Sequence, residues 1–180
     1  MPNDLNEQLR TLLAKEEIRE VILRYGRGFD RFDRTLVESV WHPGGWAEMG
    51  DHFSGEGLAF VAWCWPQHEG SEGMAHQMLS SLINVEGDRA SSETYVFVKI
   101  RIPKDGGFFD YEQFGRYLDE WSYRGGRWAI DRRRYIPEMM EQRDAPGATP
   151  SPFVRRGRED PSYALDPPLT PAPAVLSPGP

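Results

Sequence analysis

Apolar residues recur mostly at steps of three and four from Leu5 to Phe29, through Leu9, Leu12, Leu13, Ile18, Val21, Ile22 and Tyr25. That spacing predicts an amphipathic helix, with Lys15, Glu16, Glu17, Arg19 and Glu20 on its wet face. A short second helix is predicted over Thr35–Trp41, with Asp33 placed to cap it. His42–Gly45 (HPGG) breaks the pattern. Trp46–Met49 reads as a short strand, and Gly55–Trp65 as a third helix stopped by Pro66. Then the period changes. Ala75–Gly87, Arg89–Ile102, Phe108–Tyr123 and Trp128–Ile136 read as strands, rich in β-branched and aromatic residues. Lys104–Gly107 (KDGG) and Arg124–Arg127 (RGGR) are turns between them, the second a tight hairpin.

Helices followed by long antiparallel strands predict an α+β fold, with the helices on one face of a curved, mainly antiparallel sheet. A sheet curled around a helix pair encloses an apolar cavity, a natural small-molecule site. After residue 143 the composition shifts. Residues 144–180 are rich in proline and poor in large apolar side chains, which predicts an extended tail rather than a second domain. Its PxxP-like spacing fits either a ligand for a proline-recognising module or loose packing on a neighbouring subunit.

Composition narrows the classes. The 180 residues suffice for one domain with a real core, and 39% hydrophobic with 12% aromatic is globular. A net charge of −7 argues against a nucleic-acid partner. No apolar run approaches the roughly 20 residues of a membrane span, and MPNDLNEQLR does not read as a signal peptide. Cys64 is the single cysteine, so no internal disulfide forms, which suits the cytoplasm. Its apolar surroundings suggest a core residue rather than a nucleophile. His42, His52, His68 and His76 lack metal-ligand spacing, and no phosphate-binding glycine loop is present. Neither a metal nor a cofactor is expected.

The segment Arg24–Arg34 (RYGRGFDRFDR) carries the candidate chemistry. Tyr25 lies on the apolar stripe but bears a hydroxyl. Asp30 lies near a helix C-terminus, where the macrodipole disfavours a negative charge. Five residues turn about 140° around an ideal helix. If both face one cavity, the helix is expected to loosen at Gly26 and Gly28, both poor helix formers.

This segment, with AHQM opening a strand and GGRW in the last turn, resembles the SnoaL-like branch of the nuclear transport factor 2-like superfamily over roughly Leu5–Tyr135. The resemblance implies a cone-shaped α+β fold and points to its cofactor-free lyases. These are scytalone dehydratase, bile-acid dehydratases, a dehydrochlorinase of chlorinated cyclohexane, and formaldehyde-releasing lyases of lignin-derived aromatics. It implies catalytic roles for Tyr25, Asp30, His76 and Arg133, with Trp46 lining the pocket. Scytalone dehydratase has a second active-site histidine in a later strand, and Phe108–Ile136 contains none.

In chemical terms, an Asp30–His76 pair would fix the histidine tautomer and provide a general base near neutrality. Tyr25 could donate to a leaving hydroxyl or an oxyanion. Arg133 could hold a carboxylate or phenolate. Phe29, Met78 and Tyr135 join Trp46 as expected substrate contacts. This set suits elimination, retro-aldol cleavage or isomerisation of a hydrophobic cyclic or aromatic compound. The competing readings are a non-catalytic binding module, signalled by Asp30 and His76 lying more than ~5 Å apart, and a polyketide-type cyclase. A homodimer or homotrimer is expected, with no membrane partner.

Overall fold

The computed structural model describes residues 2–148 and 151–169, with side chains from Leu5 onward. Three helices, α1 (Pro2–Asp30), α2 (Arg34–Ser39) and α3 (Gly57–Glu69), accompany six strands. The strands are β1 (Trp41–Met49), β2 (Phe53–Glu56), β3 (Gly73–Glu86), β4 (Arg89–Lys104), β5 (Gly107–Arg124) and β6 (Arg127–Ala145). They form one open sheet in the order β2-β1-β6-β5-β4-β3. Every pairing is antiparallel except β1 with β6. Register shifts at Met78/Ser81, Phe114/Gly115 and Glu120/Trp121 mark bulges, which bend and twist such strands. The α+β expectation therefore holds, with the N-terminal helices packed on a curved, mostly antiparallel sheet.

Ile18, Ile22, Tyr25 and Phe29 of α1 pack with Val37, Trp41, Val61, Trp65, Val96, Trp121 and Ile130 in one core. The apolar stripe of α1 divides along its length. Leu5, Leu9, Leu12 and Leu13 are exposed, and burial begins at Ala14. The outer face of the sheet carries ion pairs: Arg101 and Lys99 on Asp110, Arg116 on Glu93 and Glu138, and Arg132 and Arg134 on Glu48.

Several boundaries differ from expectation for identifiable reasons. HPGG does not interrupt the chain. It lies inside β1 as an irregularity between Trp41 and Trp46, with Gly44 at φ +76°. Trp41 thereby leaves α2 and buries its indole against Gly57, where any side chain would collide with the ring. Phe53–Glu56, expected as loop and the start of a helix, is a strand on β1. Pro66 lies within α3 rather than ending it. Near a C-terminus proline forfeits only one backbone bond, and the helix continues to His68 and Glu69. β6 runs nine residues past Ile136, because β5 supplies the pairing that its polar sequence does not advertise.

The described part of the tail packs on its own chain. The Gly157 amide donates to the Arg31 carbonyl at 2.7 Å, and Arg31 pairs with Asp160 at 2.8 Å. Arg27 donates to Ser162 at 3.0 Å, and Tyr163 donates to Asp33 at 2.9 Å. Two 3-10 turns, Gly157–Glu159 and Pro161–Ala164, shape this return. The tail's last prolines, within 170–180, lie outside the described residues. Among the described residues no helix is long and apolar enough to cross a membrane.

Candidate active site

α1 stops in a defined way. The Phe32 amide donates to the Phe29 carbonyl and the Asp33 amide to the Gly28 carbonyl, with Phe32 at φ +51°. This is a Schellman closure, and it makes Asp30 the last helical residue. Asp33, past the stop, caps α2 by accepting from the Leu36 amide at 3.1 Å, as expected.

The helix reaches Asp30 without loosening, contrary to the expectation drawn from its two glycines. Both are required by close packing. A methyl group on Gly26 would come within 3.1 Å of His76 Cβ, and one on Gly28 within 3.0 Å of the Val37 amide nitrogen. Gly26 thus lets α1 approach β3, the strand that carries His76. β3 is an edge strand, so one of its sides has no partner strand.

There the Asp30 carboxylate accepts the His76 backbone N–H at 3.0 and 2.9 Å and lies 2.7 Å from His76 Nδ1. These donors compensate a carboxylate on the negative end of a helix dipole. With Asp30 ionised, Nδ1 carries the proton and Nε2 keeps its lone pair. The side chains are 14% (Asp30) and 5% (His76) exposed. A 2.7 Å contact is the opposite of the separation that would mark a binding module.

Three rings hold the His76 imidazole. Phe29 stacks at 5.5 Å, Tyr25 meets it edge-on at 6.5 Å, and His68 lies nearly parallel at 6.2 Å. His68 was not anticipated. Its Nδ1–H donates to the Cys64 carbonyl at 2.7 Å, and burial, with His76 adding to it, pulls its pKa down to about 4. Ending α3 at Trp65 removed His68 from the helix in the sequence reading. The Cys64–His68 spacing on a helix that tolerates Pro66 was the available signal. Burial also pushes the Cys64 thiol up to about 12, consistent with a core residue.

Arg133 does not face a solvent-filled cavity. It forms two 2.7 Å hydrogen bonds to Asp119, and both side chains are 0% exposed. Its guanidinium lies 4.2 Å from the Tyr25 ring centre and 4.1 Å from that of Tyr117. Burial disfavours its charge, but Asp119, helped by the Tyr25 and Tyr117 phenols, offsets burial and holds it firmly cationic. Burial raises the phenols of Tyr25, Tyr117 and Tyr135 well above their ordinary range. Tyr135 packs on Tyr117 at 5.4 Å, and its hydroxyl, like Arg133 Nη1, is buried without a hydrogen-bond partner. The space expected to be an apolar cavity is here filled by these tyrosines and the buried ion pair.

The dyad opens instead onto a groove of about 430 Å³ between α1 and β3, lined by Asp30, His76, Met78, Leu23, Arg27 and Leu169 of the tail. A hollow of about 510 Å³ elsewhere on the sheet, among Leu82, Glu93, Leu118 and Arg134, is lined by no histidine, tyrosine or cysteine. Of the expected site residues, Asp30, His76 and Met78 line the groove, Tyr25 and Phe29 pack on the His76 ring without lining it, Arg133 lies behind Tyr25, and Tyr135 is farther in. Trp46 is the correction. Side chains alternate along β1, so Ala47 and Met49 point inward while Trp46, 42% exposed, points away. Among the described residues no three His, Cys, Asp or Glu side chains converge as a metal site requires.

The fold has counterparts among solved structures. No match was found among curated proteins. A provisionally assigned scytalone dehydratase from Novosphingobium aromaticivorans superposes with a TM-score of 0.66 at 17% identity, covering 80% of this chain and 97% of that one. An NTF2-like protein with a cystatin-like fold, also from Novosphingobium aromaticivorans, gives 0.62 at 26%, covering 74% and 87%. The hexachlorocyclohexane dehydrochlorinase LinA-type3 from Novosphingobium barchaimii gives 0.67 at 13%, covering 78% and 97%. Residues 10–134 match the SnoaL-like domain, and the chain belongs to that family.

Proposed function

We propose that the protein is a cofactor-independent lyase acting on a hydrophobic cyclic or aromatic small molecule, with Asp30–His76 as its base. The observation that carries this reading is the 2.7 Å Asp30–His76 contact at the floor of a groove. His76 Nε2 removes a proton, and Asp30 stabilises the imidazolium that results. If the proton comes from carbon beside an electron-withdrawing group, the electron pair of the C–H bond forms a double bond as chloride departs, or as a hydroxyl departs as water by taking the proton that His76 holds. If it comes from a hydroxyl, the O–H pair forms the carbonyl of formaldehyde as the C–C bond of a hydroxymethyl group breaks, the C–C pair passes to the ring-side carbon and its conjugated acceptor, and that carbon takes the proton back from His76. Tyr25, kept neutral by burial, does not line the groove; it packs edge-on against the His76 ring and holds it in place. Arg133 acts through Tyr25 as a positioning residue. The dehydratase and dehydrochlorinase names among the structural neighbours support the reaction class. A role in aromatic-compound breakdown and a cytoplasmic location complete the proposal.

Mass spectrometry of candidate substrates incubated with the protein tests it. Loss of water, hydrogen chloride or formaldehyde identifies the reaction, and an unchanged mass with a shifted spectrum identifies isomerisation or cyclisation instead. No conversion of any kind across hydroxylated, halogenated and hydroxymethylated aromatics counts against catalysis. We propose in addition a homodimer or homotrimer, since Leu5, Leu9, Leu12 and Leu13 form an exposed apolar stripe. Light scattering on the wild type and on Leu9→Glu/Leu12→Glu reads this directly, the variant being expected to run as a monomer.

A further inference from the structure

Three arginines border the groove above the dyad: Arg24 and Arg27 from the last two turns of α1, and Arg31 just beyond it. Two are neutralised locally. Arg24 pairs with Glu20 at 2.6 Å and Arg31 with Asp160 at 2.8 Å. Arg27 has no carboxylate within ion-pair distance among the described residues. Its Nη2 donates to the uncharged Ser162 hydroxyl at 3.0 Å, and its guanidinium lies 5.0 Å from the Tyr163 ring centre. Its Nε is buried with no hydrogen-bond acceptor.

A cation in the last turn is favoured by the carbonyl end of the helix. That accounts for a charge at Arg27, but not for an N–H held away from water without an acceptor, which is costly. The acid of the groove nearest the dyad, Asp30, is turned to His76, whose donors satisfy it through three contacts. Leu23, Met78 and Leu169 supply the apolar part of the lining, and Glu20, the remaining acid there, is taken up by Arg24.

We propose that Arg27 selects a substrate bearing a carboxylate or phenolate on a hydrophobic body. The anion meets the Arg27 N–H donors, and the body lies over Leu23, Met78 and Leu169 beside His76. This rests on the groove being the substrate site of the proposed lyase, and it moves the anion-holding role from Arg133, which Asp119 occupies, to Arg27.

The test compares benzoate with benzamide, its neutral isostere, by calorimetric or NMR titration of the full chain. A charge-assisted hydrogen bond predicts about ten- to hundredfold tighter binding of benzoate, weakening as salt is raised. Arg27→Gln should erase the preference, and Arg27→Lys should keep part of it. A purely helix-stabilising Arg27 would lower the melting temperature in Arg27→Gln while leaving the preference intact. Equal affinity for the two ligands in the wild type, binding of neither, or a preference that survives Arg27→Gln overturns the proposal. The wild-type comparison stands whatever the stability of the variants. Because binding is read without turnover, failure here is distinguishable from failure of the lyase reading, which mass spectrometry reports separately.

Discussion

The molecule contains two carboxylate–cation pairs on either side of Tyr25, and they are built differently. Asp119–Arg133 is sealed, bidentate and flanked by two tyrosine rings. Asp30–His76 lies on a groove, and its cation-forming partner is an imidazole rather than a guanidinium. The sealed pair cannot change charge without stranding its partner in the interior. Under the proposed mechanism the groove pair passes a proton and recovers it. Burial without access makes a strut, whereas partial burial with access makes a base, even when the same tyrosine touches both.

The largest expected effect tests the base. His76→Ala and Asp30→Asn should each lower turnover by about 10²–10⁴-fold while the melting temperature moves little. Full activity in both would erase the distinction between the pairs. The strut comes next. Asp119→Ala leaves Arg133 buried and unpaired, and thermal or urea unfolding should show about 3–5 kcal/mol of destabilisation. Asp119→Leu with Arg133→Met should recover most of that, and should keep turnover within about tenfold of the wild type if the pair only positions Tyr25.

A smaller effect is expected at the contact between α1 and β3. In Gly26→Ala the added methyl presses on His76 Cβ, and turnover should fall about tenfold with a melting temperature close to the wild type's, since alanine favours the helix. The smallest concerns His68. Its folded-state pKa, about 4, lies below its ordinary 6.5, so the unfolded chain binds the extra proton between those values. The contribution is constant above pH 6.5 and is lost as pH falls toward 4. His68 is partly exposed, so its slope should be a fraction of the ~1.4 kcal/mol per pH unit that one full proton gives. His68→Gln should remove that part of the slope in unfolding measurements made from pH 4 to 7.

Periodicity in the sequence was enough to find α1 and β3 to β5, because each has a long amphipathic or β-branched run. It missed β2 and the end of β6, which owe their structure to a partner strand rather than to their own pattern. Asp30 and His76 were legible as a pair through the resemblance, and their contact follows from the closure at Phe32 together with the bare Cα of Gly26. Trp46 rested on the resemblance alone, and the alternation that turns Ala47 and Met49 inward along β1 turns it outward. Arg133 carries an expected anion-holding role, but Asp119, which claims it, sits 14 residues earlier on another strand, beyond the reach of local pattern. His68 was hidden by a proline that the helix absorbs.

The return of the tail has a consequence for how the protein is made. Asp30 and His76 leave the ribosome well before Asp160, Ser162 and Leu169, so a nascent chain can form the dyad before the far wall of its groove exists. The groove is therefore a late acquisition in every molecule. A chain whose synthesis stops after the sheet would carry the whole family domain and an open catalytic floor.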